Sequence, residues 1–158
     1  MMDKNEEFME EALKIAESNM HHLTGGPFGA LIVKNGTIIA KAANTVTRVN
    51  DPTAHAEINA IRLAAESLGT FNLNGCELYT SCEPCPMCLA AVYWARIDKI
   101  YFSGNRLDAK NAGFDDSFIY DEFDRPVKNR KVKIKQLLPK EGKTVLEQWA
   151  MITDRVDY

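Results

Sequence analysis

Four residues in two short segments could do chemistry together. They are His55 and Glu57 in His55-Ala56-Glu57, and Cys85 and Cys88 in Pro84-Cys85-Pro86-Met87-Cys88. Imidazole and thiolate are good zinc ligands, and one histidine with two cysteines makes three, one short of the four that close a structural site. The fourth position then belongs to water or substrate, as in a catalytic zinc site. Zinc lowers the pKa of a bound water to about 7, and a neighbouring carboxylate that is not a ligand can complete its deprotonation. The pattern therefore assigns His55, Cys85 and Cys88 to Zn2+, Glu57 to protons, and hydrolysis to the site. Either segment alone is common by chance; both in this order, the second preceded by proline, are specific.

The two segments need elements that bring them together. Proline favours the first position of a helix, so Pro84 predicts a helix over 85–95 with both sulfurs on one face at its start. There the positive end of the helix dipole favours thiolate. Asp51-Pro52-Thr53 reads as the capped start of a second helix, whose apolar run Ile58, Ala60, Ile61, Leu63, Ala64 ends at Gly69. Residues two apart point to nearly opposite sides of a helix, which separates Glu57 from the metal-holding role of His55.

Around these lie a helix over 5–20 with Phe8, Ala12, Leu13, Ile15 and Ala16 inward, and a hairpin of strands 28–34 and 37–42 turning at Asn35-Gly36. Strands over 77–81 and 99–102 follow, then Lys131, Lys133 and Lys135 alternating with Val132 and Ile134 as a strand with one wet face. Leu146, Trp149, Ala150 and Ile152 mark a last amphipathic helix. The sum is a three-layer α/β/α fold with a five-stranded mixed sheet.

Cys82 repeats the spacing of Cys85 and Cys88 but falls in the turn before the helix, and is set aside as packing, as is Cys76. His21 and His22 close the first helix beside its negative end. A fourth ligand from Cys82 or a histidine would make the centre structural, so a non-enzymatic zinc-stabilised interaction module is the rival of a different class.

The chain has 158 residues, 46% of them hydrophobic, which suits a single domain over 1–158. A net charge of -3 disfavours a nucleic-acid partner. Four cysteines, two given to metal, suit a reducing compartment. No segment is long and apolar enough to span a membrane. The start, Met1-Met2-Asp3-Lys4-Asn5-Glu6-Glu7, lacks the basic and apolar regions of a signal peptide, so the expected location is cytoplasmic.

H-x-E followed by P-C-x-x-C is the established signature of zinc-dependent nucleobase deaminases. With it, the chain resembles the cytidine deaminase superfamily. The resemblance also rests on Gly25-Gly26-Pro27-Phe28-Gly29-Ala30, Asn50-Asp51-Pro52-Thr53 and Tyr93-Trp94-Ala95-Arg96, and Phe114-Asp115-Asp116 with the terminal Tyr158 narrow it to the guanine branch. The resemblance implies deamination of guanine to xanthine and ammonia by a zinc-held hydroxide, with Glu57 as proton shuttle and Asp116 binding the purine or relaying protons. It implies a base held by Phe28, Asn44, Ala56, Trp94, Asp116 and Tyr158. It also implies a homodimer that exchanges its C-terminal segment, about 135–158 here. By residue type alone Phe28 and Trp94 are core aromatics, Asn44 shapes a loop, and Asp115 and Asp116 are caps or solvated. The same zinc chemistry would serve guanosine, cytosine or tRNA adenosine, since only the pocket walls differ.

Overall fold

The computed structural model describes residues 3–23 and 25–158. Met1 and Met2, part of the start on which the location was judged, lie outside them. The chain forms two compact units, Met1–Asp116 and Ser117–Tyr158.

In the first unit α1 (Lys4–His21) leads into the hairpin of β1 (Gly29–Lys34) and β2 (Thr37–Ala43), then α2 (Val46–Val49) and α3 (Ala56–Leu68). Next come β3 (Cys76–Cys82), α4 (Pro86–Trp94), β4 (Lys99–Gly104) and α5 (Arg106–Asn111). Asp3 starts α1 with a reciprocal cap, its side chain accepting from Asn5 N while Glu6 accepts from Asp3 N. Asn35 and Gly36 have φ of 50° and 69°, the paired positive values that turn a two-residue hairpin.

The sheet runs β2-β1-β3-β4, with β1 antiparallel to both neighbours and β3 parallel to β4. Because β1 lies inside the sheet with both faces covered, its side chains alternate between two cores. Leu31 and Val33 join Tyr79 and Ala12 under α1, with Phe8 and Ile15 packed against them. Ala30 and Ile32 join Leu78, Ala56, Ala60, Ala64 and Val92 under α3 and α4. Helices therefore cover both faces of a mixed sheet, the α/β/α arrangement expected.

The sheet has four strands among the described residues, not five. The segment expected as the fifth, Lys131–Lys135, has no ladder partner, and Val132 and Ile134 are 74% and 57% exposed. Alternation marks a strand only where one face is dry, and both sides of this segment are wet. Leu13 also departs from the expected inward stripe of α1 at 40% exposed, because the stripe steps from Ala12 to Ala16 to Asn19.

The second unit holds α6 (Ser117–Asp124), a short 3-10 turn Val127–Asn129 and α7 (Pro139–Ala150). None of its residues is buried. No helix among the described residues is long and apolar enough to cross a membrane.

Candidate metal centre and active site

Asp51 accepts from Thr53 N and Oγ1 at 2.8 and 2.7 Å, making a side-chain turn rather than the helix cap expected of it. The cap falls on His55, with extended backbone (φ -66°, ψ 156°), and α3 starts at Ala56. The second segment behaves alike. Cys85 is the N-cap of α4 (φ -64°, ψ 167°), and Pro86 rather than Pro84 sets the first helical turn. A side chain at the N-cap reaches towards the third helical residue, and that residue here is Cys88. Two helix starts thus converge on one point, and the positive ends of both face three ligands.

His55 Nδ1 lies 3.6 Å from Cys85 Sγ and 3.5 Å from Cys88 Sγ. All three donor atoms fall within 4.8 Å of one another. Zinc at about 2.05 Å from nitrogen and about 2.3 Å from sulfur, with tetrahedral angles, separates N and S by about 3.6 Å. The donors therefore have both the chemistry and the spacing of a zinc site. No other group of His, Cys, Asp or Glu among the described residues has such spacing. Cys82 stays outside it, its sulfur turned to the carbonyl of Asn105 at 3.9 Å, so the shell has three protein ligands.

Charge is arranged to suit a cation. Hydrogen bonding from Cys88, helped by His55, holds the Cys85 thiol down to about 4 against the opposing effect of burial. The hydrogen bond with Cys85 and burial push Cys88 up. Hydrogen bonding to Cys85 likewise raises His55. A metal binding to this set displaces its protons.

Glu57, the second residue of α3, is 6% exposed. Because His55 is the cap and not part of the helix, the opposite-sides rule does not separate the two. Glu57 instead interacts with His55, Cys85 and Cys88 while its oxygens remain outside the ligand group. Burial pushes its carboxyl up, with Cys85 adding to the shift and its own backbone opposing it. Asp116 is also raised, chiefly by burial and next by Cys85, while Arg106 opposes the shift. Cys82 feels both Glu57 and Asp116 and is pushed up to about 11, mainly by burial.

Beside the centre, Ala56 is fully buried, and Phe28 packs against the same core. Phe114 meets Phe28 edge to face at 4.9 Å between ring centroids. The Asn44 carbonyl accepts from Asn19 at 2.8 Å, and its own N–H donates to the Phe28 carbonyl at 3.1 Å. A Cβ on Gly25 would come within 2.1 Å of that same Asn44 carbonyl, so only glycine fits there. Trp94 ends α4, 67% exposed and about 13 Å along the helix axis from Cys85. Tyr158 is 73% exposed in the second unit.

Asn19 is the residue that sequence reasoning missed. It is buried, and its Nδ2 donates at 2.8 Å to both Gly26 O and Asn44 O, tying the two loops to α1. The signal was available as a polar residue on an inward helix stripe. Asn19→Ala leaves both carbonyls without that donor and is expected to lower stability by about 1–3 kcal/mol in denaturant unfolding.

The centre, two helix starts under one face of a mixed sheet with a buried carboxylate beside three ligands, defines a zinc-dependent deaminase. Residues 2–104 match the cytidine and deoxycytidylate deaminase zinc-binding region, and the chain belongs to that family. It is similar to the guanine deaminase of Bacillus subtilis (strain 168), being 47% identical over 98% of this chain and 99% of that protein. The X-ray structure of Bacillus subtilis guanine deaminase covers 97% of this chain, and 98% of its own chain is matched, with a TM-score of 0.94. The tRNA-specific adenosine deaminase of Aquifex aeolicus (strain VF5) is 48% identical, over 68% of each chain. A solved guanine deaminase from Nitrosomonas europaea is 29% identical over 90% of this chain and 82% of its own, with a TM-score of 0.66.

Proposed function

We propose that the chain deaminates guanine, adding water and releasing xanthine and ammonia. One observation carries the choice of base. The sequence match to the Bacillus subtilis guanine deaminase runs over 98% of the chain and its structure superposes with a TM-score of 0.94, whereas the Aquifex aeolicus tRNA-specific adenosine deaminase matches over 68% and a solved tRNA:A34 deaminase superposes with a TM-score of 0.65.

When bound, zinc supplies a water acidic enough to act as a nucleophile near neutral pH. Glu57 does the proton work. Its raised, buried carboxyl can take a proton as the water oxygen attacks the purine carbon bearing the exocyclic amine. It passes that proton to a ring nitrogen, then takes the proton of the newly added hydroxyl and delivers it to the leaving amine as the C–N bond breaks. Asp116, raised chiefly by burial and next by Cys85, would bind the purine or relay those protons. Phe28, Asn44 and Ala56 orient the base, and alignment of this kind can lower a barrier by several kcal/mol.

Trp94 and Tyr158 complete the reading through a homodimer. Trp94 at the far end of α4 would need a second subunit to bring it to a metal centre. The second unit leaves Val132, Leu137, Leu138, Leu146 and Met151 at least 69% exposed, more apolar surface than a segment of that size leaves wet. Exchange of about residues 135–158 between subunits would cover it. The chain would thus be a single deaminase domain that completes its site in the dimer, acting on a free purine in the cytoplasm with no nucleic-acid partner. Removing the last few residues, Tyr158 included, is expected to leave the unfolding midpoint unchanged while raising KM for guanine at least tenfold.

The test is ammonia release by purified, zinc-loaded protein given guanine, guanosine, adenine, cytosine or an adenosine-containing tRNA anticodon stem. Guanine should be turned over with a kcat/KM at least a hundredfold above the rest. A preference for any other member of the panel refutes the substrate. No release from any, with zinc bound, would favour an interaction module.

A further inference from the structure

We propose a second ligand site in the first unit, a groove that takes a phosphorylated nucleoside. It has a volume of about 450 Å³, within the range of small-molecule sites, and is lined by Asn19 of α1 and by residues of β2, α3 and the segment between them. Lys41, Arg48 and Arg62 line it and no acidic residue does, although the chain carries a net charge of -3. Two of these cations have partners, Lys41 with Glu11 at 2.6 Å and Arg62 with Asp51 at 3.7 Å. Arg48 has neither an ion pair nor a hydrogen bond among the described residues. Three cations facing one groove, one of them uncommitted, suit a phosphate dianion, which arginine can bind through two parallel N–H bonds.

The rest of the groove is suited to a base. Ala42, Ala43 and Leu63 give it an apolar wall. Asn59 gives it one oriented polar group, because its Nδ2 is fixed by Ala43 O at 3.0 Å, Thr45 Oγ1 at 3.0 Å and Ala54 O at 3.3 Å. Those acceptors settle which end of the amide is nitrogen. The remaining Oδ1 has no hydrogen-bond partner, and since no buried side-chain polar atom among the described residues is unsatisfied, Oδ1 must reach solvent. It is an acceptor for an amine or ring N–H. Apolar wall, fixed acceptor and cations together select a nucleotide over free phosphate or a free base.

Hydrogen bonds link the groove to the metal centre. Asn59 and Thr45 both bond to Ala54, the residue before His55, and Asn59 N donates to His55 O at 3.0 Å. A ligand that ties Arg48, Thr45 and Asn59 together therefore restrains the loop that presents Asn44 and His55. Its effect should appear as a change in KM, and this part alone rests on the guanine reading.

Guanosine 5′-monophosphate titrated calorimetrically into the zinc-loaded full chain tests the site directly. Binding is expected to weaken at least tenfold in Arg48→Glu and in Arg48→Ala, and at least tenfold when guanosine or inorganic phosphate replaces the nucleotide. Without nucleotide, Arg48→Ala should keep kcat for guanine within twofold. With nucleotide, KM should shift at least twofold in the parent and not in the variant. Absence of binding, or equal binding by parent and both variants, overturns the site. Inorganic phosphate binding as tightly as the nucleotide overturns the nucleoside assignment. A single-stranded RNA oligonucleotide that binds more tightly than the nucleotide, with a steep salt dependence lost in Arg48→Glu, replaces it with an RNA-backbone contact. An unchanged KM despite binding removes the coupling.

Discussion

Glu57→Gln is expected to keep one zinc per chain and to lose kcat by about three powers of ten, equivalent to about 4 kcal/mol of barrier. The amide matches the carboxyl in size, so the 6% exposed pocket at the second position of α3 should remain packed. It removes the buried group beside the ligands that accepts a proton and then donates it. His55 and both thiols are committed to the metal, and Cys82 is held protonated by a thiol pKa of about 11. The loss should fall on kcat with KM little changed, because the interaction is made with moving protons rather than with bound substrate. Near-normal turnover with zinc retained would take the proton role away from Glu57.

Cys85→Ala is expected to cost zinc itself. It deletes one of three ligands, the sulfur held lowest in pKa, and leaves Cys88 raised by burial with its hydrogen-bond partner gone. Metal affinity should fall by more than the roughly 10–100-fold that accompanies loss of an outer partner of a ligand. Turnover should fall with zinc content, and a chelator should strip the variant first. Acidification should act in the same direction. The hydrogen bond with Cys85 raises the His55 pKa in the metal-free site, so a proton competes with zinc for its Nδ1 more strongly than at a free imidazole, and zinc content should fall as pH is lowered. Zinc analysis after dialysis across a pH series checks both. Full zinc content in Cys85→Ala would exclude the three-ligand centre.

The metal centre was legible because its chemistry sits in residue types and short spacings, which survive whatever the fold does. Its local geometry was less so. Pro84 and Pro86 flank Cys85 and either could start a helix; Pro86 does, which moves Cys85 to the cap and Cys88 to the third residue. The hairpin was legible from Asn35-Gly36, since few other residue pairs accept two positive φ values. The supposed fifth strand failed because alternation of Lys131 to Lys135 says which residues share a side, not whether any surface covers that side. Helices α5 and α6 were not foreseen, being too short to show helical periodicity. The role of Asn19 was hidden for a different reason, since its partners are backbone carbonyls of Gly26 and Asn44, which carry no residue-type signal.

The most direct measurement is isotopic. Zinc-loaded protein given guanine in water enriched in oxygen-18 should form xanthine carrying one oxygen-18 atom, with one ammonia per xanthine, and Glu57→Gln should do so about a thousandfold more slowly. Xanthine formed without the label, ammonia out of step with xanthine, or an undiminished rate in the variant would contradict hydrolysis at a three-ligand zinc centre served by Glu57.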